Sequence, residues 1–198
     1  SAPSAAGAGS TAIFADGFDT GTTARWTAAS GFSVQKQTVF AGTWAGEAIS
    51  NRNTASYVSK TLAATRSEIW MTERIYIPRN KLALADVLRL RTAAGGGLLA
   101  LYVDGNGRLG VLNDTRATST TSTTVVGTNA WHAVKVHLKV NGTASTVEVF
   151  LDGTKVAALS TTTGSYGTTP VGQVVAGETT TGRAYDVLID NVLVDTKA

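Results

Sequence analysis

Three turn signals, Asp104-Gly105-Asn106-Gly107, Asn141-Gly142 and Asp152-Gly153, each fall between two short runs of β-branched and aromatic residues. Asn-Gly and Asp-Gly pairs tolerate the positive φ angles of tight hairpins, whose twist matches that of the strands they join. The runs alternate apolar with polar residues and none carries a helical stripe. Strands are predicted over residues 13–14, 32–39, 55–62, 68–77, 85–91, 98–103, 109–113, 131–140, 145–151, 155–158, 171–176 and 185–194. Evenly spaced short strands with hairpin turns imply an all-β fold, a two-sheet antiparallel β-sandwich.

The 198 residues suffice for one such domain, assigned to residues 12–198. No apolar run approaches the roughly 18 residues of a membrane span. A net charge of +3 without clustered Lys and Arg excludes a nucleic-acid footprint, but suits an acidic partner. With no Cys there is no disulfide or thiolate chemistry, and two His five positions apart make no zinc site. Residues 1–11 are uncharged and rich in Ser, Ala and Gly, the composition left after a signal peptide or in a linker, so secretion is expected. The same stretch could dock along a protein partner's sheet edge, making the chain an adaptor in a secreted complex.

The Trp that opens run 131–140, the Asp152-Gly153 hairpin after run 145–151, the opening Phe14-Ala15-Asp16-Gly17 with Arg25-Trp26, and the closing Ile189-Asp190-Asn191-Val192 together resemble the concanavalin A-like, laminin G-like jelly-roll superfamily. The resemblance implies a jelly roll and a structural calcium where the first and last strands meet. Carried onto this sequence, its ligands would be Asp16 or Asp19, the carbonyl around Gly42, and Asp190. A hard cation takes several oxygens, and joining distant chain ends removes loop entropy from the unfolded state.

Glycoside hydrolases of this fold carry a Glu-x-Asp-x-Glu strand, which is missing. Glu68 and Glu73, at odd spacing, fall on opposite faces of a strand. Jelly-roll lyases instead use Arg, His, Tyr and Gln, and their Arg-x-Glu-x-Arg and Gln-x-His strands are not present as such. Parity nevertheless puts Lys135 and His137 opposite the core residues Val134, Val136 and Leu138, Arg74 with Trp70, and Arg89 with Arg91. Were these faces one surface, Arg74, Arg89, Arg91, Tyr102, Lys135 and His137 would line a basic groove for an anionic glycan. His132, on the apolar parity, reads as a packed, hydrogen-bonded side chain. Trp44 and Trp70 are the candidates for stacking on sugars, with Trp26 and Trp131 read as core. The expectation is a secreted, non-catalytic, lectin-like module that binds a glycan and holds calcium; the alternatives are the adaptor and a lyase for anionic polysaccharide.

Overall fold

A computed structural model describes residues 12–79 and 83–197; the proposed docking segment, 1–11, lies outside them. The described residues form strands β1 (Ala12–Asp16), β2 (Ala28–Ser30), β3 (Phe32–Gln35), β4 (Ala45–Asn51), β5 (Ser56–Arg66), β6 (Glu68–Tyr76), β7 (Leu84–Thr92), β8 (Gly97–Asp104), β9 (Arg108–Asn113), β10 (Thr118–Val125), β11 (Trp131–Lys139), β12 (Ser145–Leu151), β13 (Thr154–Lys155), β14 (Thr161–Gly164), β15 (Val171–Glu178) and β16 (Ala184–Asp195). Sheet I runs β13-β12-β11-β6-β16-β4-β3, with β1 on β16 and β14 on β12. Sheet II runs β10-β9-β8-β7-β15-β5-β2.

The turn residues act as their chemistry requires. Asp152 and Gly153 take φ of 50° and 81° between β12 and β13. After β8, the Asp104 carboxylate accepts the Asn106 and Arg108 amides at 2.9 and 2.8 Å. The segment predicted as strand 155–158 is shorter: β13 ends at Lys155 and a 3-10 turn, Ala157–Leu159, follows. Strands β2, β4, β10 and β14 were not foreseen.

One apolar core fills the space between the sheets. Val134, Val136 and Leu138 of β11 and Ile69, Met71 and Ile75 of β6 face Leu88, Leu90, Leu99 and Leu101 from sheet II. Each alternates with an outward residue, so the outer faces are fixed by parity. Phe18 stacks on Trp26, which Phe14 meets edge-on, closing the end where β1 enters.

Candidate functional site

The outer face of sheet II carries Arg89 and Arg91 from β7, Tyr102 from β8, Gln173 from β15 and Tyr57 from β5. Strand register sets Gln173 opposite Arg91, while Tyr57 sits opposite Gly177. Both terminal nitrogens of Arg89 are engaged, although its Nε, like that of Arg91, is buried without a partner: Nη2 donates to both Asp114 oxygens at 2.7 Å, and Nη1 to Asp86 at 3.1 Å and to the Thr179 hydroxyl at 3.2 Å. Arg183 closes this network by donating to Asp86 and Glu178. Burial, then the charge of Glu178, pushes the Asp86 carboxyl up to about 6.

Arg91 differs. Its Nη2 donates to Thr179 Oγ1 at 3.0 Å, its Nε is buried without a partner, and among the described residues no carboxylate lies within ion-pair distance. Burial, and then the like charge of Arg89, holds its guanidinium below the usual arginine range. A cation in that state gains from an anionic ligand. Tyr57 and Arg91 are both half-buried and interact electrostatically. Tyr102 lies flat over Gly110, where an added Cβ would come 2.2 Å from its ring, and its hydroxyl meets Thr121 Oγ1 at 2.7 Å.

The other basic residues belong to the outer face of sheet I, so the single groove expected from parity does not form. Arg74, Lys135, His137 and Trp70 lie on β6 and β11, Arg89, Arg91 and Tyr102 on β7 and β8, and these pairs are in opposite layers. Parity was right within each strand, but it carries no information about which sheet a strand joins.

On sheet I, Trp70 stacks on His137 with centroids 4.0 Å apart, which covers one side of that ring. His137 is held by Glu148 at Nδ1 (2.9 Å) and Glu68 at Nε2 (3.0 Å). Trp44 packs against the core, with Gly21 against its ring and Lys36 Nζ 4.3 Å above its centroid. Trp26 is core, as expected. Trp131 is not: its register partner is Tyr76, so it lies half-buried on the outer face against Tyr76 and Phe40. His132 takes the inward parity and binds Asp152 through Nδ1 at 2.7 Å.

At the junction of β1 and β16, Asp16 is occupied structurally: Oδ1 accepts the Phe18 amide at 3.1 Å and Oδ2 the Trp26 indole at 2.8 Å. Asp19 and Asp190 are the pair that converge. A Cβ on Gly17 would lie 3.7 Å from an oxygen of each and 3.1 Å from Asn191 Oδ1. Asp19 sits directly against Gly42, which has φ +73° and where an added Cβ would fall 2.0 Å from Oδ1. Asp190 accepts the Phe40, Ala41 and Asn191 amides, yet burial, reinforced by Asp19, raises its pKa. Among the described residues no three His, Cys, Asp or Glu side chains cluster. The side chains that meet there are two carboxylates and an amide oxygen, all oxygen, which fits a hard cation.

No family model and no curated protein matches the chain. Among solved structures it is similar to a cellulose-induced protein (14% identity, TM-score 0.74, covering 93% of this chain and 97% of that one). It is also similar to an endo-β-1,4-glucuronan lyase from the fungus Trichoderma reesei (17%, TM-score 0.70, 94% and 96%). An alginate lyase from a Chlorella virus matches at 8% identity and TM-score 0.59, over 87% of this chain and 100% of that one. These likenesses correct the expectation of a non-catalytic lectin-like module. That expectation rested on the missing Glu-x-Asp-x-Glu run, and two lyases share this fold over nearly their whole length, so lack of a hydrolase's carboxylates does not separate binder from enzyme. The chain has the jelly-roll fold of these structures, two antiparallel sheets packed as a sandwich.

Proposed function

We propose that this protein is a secreted polysaccharide lyase that cleaves a uronate-containing glycan on the outer face of sheet II. The observation that carries the reading is Arg91, a half-buried guanidinium with no carboxylate partner among the described residues, set opposite Gln173 and interacting electrostatically with Tyr57 on the same face. The lyase folds of two similar structures support it. In β-elimination a base removes the proton α to the uronate carboxylate, the bond from the β-carbon to the glycosidic oxygen breaks, and that oxygen leaves with a proton as the double bond forms. Arg91 would pair with the carboxylate and stabilise the charge that builds up on it in the transition state. Tyr57 is assigned the proton transfers and Gln173 a hydrogen bond to the same sugar, while Arg89, already neutralised, orders the face.

A polymeric substrate of this kind is met outside the cell, which is where the protein is placed in this reading. A calcium ion held by Asp19, Asp190, Asn191 and the carbonyls near Gly42 would pin the chain ends together, far from the reacting groups. The test is incubation with glucuronan, alginate and polygalacturonate, following the ultraviolet absorbance of the unsaturated product. Wild type is expected to give product on at least one polymer, and Arg91→Ala to lower the rate about 100-fold or more. No product from any uronate polymer overturns the reading.

A further inference from the structure

Sheet I carries a second charged surface, on the opposite side of the sandwich from Arg91. Strand register makes Thr72 of β6, Lys135 of β11 and Phe150 of β12 one row, and Arg74 and Ala133 the next. Thr72 and Ala133 are short and the residues around them long, which leaves a depression of about 470 Å³ walled by Arg74, Lys135, Phe150 and Asp152.

The charges there are unevenly matched. Lys139 lies 3.5 Å from Glu68, and Lys155 lies 2.7 Å from Glu148. The two carboxylates also hold His137 from either side. Lys135 and Arg74, the two cations that wall the depression, have no carboxylate within ion-pair distance among the described residues. Each lies over aromatic rings instead: Lys135 Nζ is 4.6 Å from the Trp70 centroid and 5.4 Å from Phe150, and the Arg74 guanidinium is 4.4 Å from Phe40. Cation–π contact holds such groups in place without neutralising them, so their capacity for charged hydrogen bonds is intact. Phe150 adds a flat apolar wall of the kind that packs on a pyranose ring.

We infer that this depression is a second glycan-binding site, taking one acidic sugar of the polymer through its carboxylate or sulfate, and so keeping the chain on the polysaccharide while the opposite face acts. The inference rests on the reading of the substrate as an anionic glycan. The small depression has two cations with no ion pair among the described residues, and its one carboxylate, Asp152, is held by His132 and the Ala133 amide, which favours a sugar acid over a protein partner.

The test is affinity electrophoresis through gels containing glucuronan or another uronate polymer, performed in the Arg91→Ala background so that the polymer stays intact and the opposite face contributes little. Arg74→Ala with Lys135→Ala is expected to weaken retention about tenfold or more. Ala133→Leu, which fills the depression and leaves both charges in place, is expected to do the same with unaltered melting behaviour. Retention equal to the parent in both variants overturns the site, and so does a change in oligomeric state that accounts for the loss. Product release is measured separately on short oligosaccharides with Arg91 intact. Retention that depends on Arg74 and Lys135 without any unsaturated product leaves this site standing and removes the lyase; product with unchanged retention does the reverse.

Discussion

The Nη2 atom of Arg89 lies 2.7 Å from both carboxylate oxygens of Asp114, which follows β9 in the chain, while Nη1 reaches Asp86 three residues before Arg89 on its own strand. Arg89 is thus ion-paired by two elements, while Arg91, two residues on, has no carboxylate within ion-pair distance among the described residues. Loss of Asp114 should therefore register mainly as stability and loss of Arg91 as function. Asp114→Ala is expected to destabilise the fold by about 2 kcal/mol, the scale of a charged hydrogen bond left open by a mostly buried partner. Urea unfolding measures it, and a midpoint unchanged from wild type would show that the pair contributes nothing.

The same network titrates. Burial and Glu178 push the Asp86 carboxyl from 3.8 up to about 6 in the folded chain. Between those values the folded state keeps a proton that the unfolded state has released. This contribution to stability is complete below about pH 3.8 and is lost as pH rises through about 6. Asp86→Asn removes the titration and keeps an oxygen for Arg89. Its melting temperature should respond less to pH than that of wild type between about pH 4 and pH 7; parallel curves would rule the assignment out.

Much of the fold could be read from the chain because its hairpin turns carry Asp-Gly or Asn-Gly and its core strands alternate cleanly. Strand β10, Thr118–Val125, escaped because a run of hydroxyl residues shows no apolar period, and β4 because small Ala and Gly supply its inward positions. Parity gives the outward face of Arg74, Lys135 and His137, the shared face of Arg89 and Arg91, and the opposite sides of β6 for Glu68 and Glu73. It could not say that β6 and β11 lie in one sheet and β7 and β8 in the other, since sheet membership depends on long-range pairing. Tyr57 and Gln173 are hidden from the sequence for the same reason: only the β5-β15-β7 order sets Gln173 opposite Arg91 and puts Tyr57 on the same face. For Trp131 the signal was present, since an inward Val134 already implies an outward Trp131.

Calcium should raise the melting temperature of the protein and a chelator reverse it, because binding to the folded state alone contributes about 2.7 kcal/mol at a hundredfold excess over Kd. Asp19→Asn and Asp190→Asn are expected to abolish the response. Asp16→Asn is expected to keep it while lowering the baseline, since Asp16 serves the Phe18 amide and the Trp26 indole. Calcium-independent melting of the wild type would remove the ion from the site, and an equal loss in all three variants would remove the distinction between Asp16 and Asp19.

Glu73 faces inward from β6 between Met71 and Ile75, fully buried, and neither of its oxygens has a hydrogen-bond partner among the described residues. Burial pushes its pKa well above the ordinary carboxyl value, which favours the neutral acid in the folded chain. An unpaired polar group in an apolar core costs about 1–3 kcal/mol. Replacing it by Leu, of similar reach, is expected to stabilise the fold by about that amount at neutral pH. The sign of the linkage makes a second, sharper demand. A raised folded-state pKa gives stability that is complete below the ordinary carboxyl value of 4.5 and lost as pH rises through the folded value, so the advantage of Glu73→Leu over wild type should widen as pH rises above 4.5. Denaturant unfolding of both proteins over a pH series that starts below 4.5 and runs to alkaline pH decides the matter: a constant difference would mean that Glu73 is not the titrating group, and a destabilised variant would mean that its carboxyl has a partner in solution.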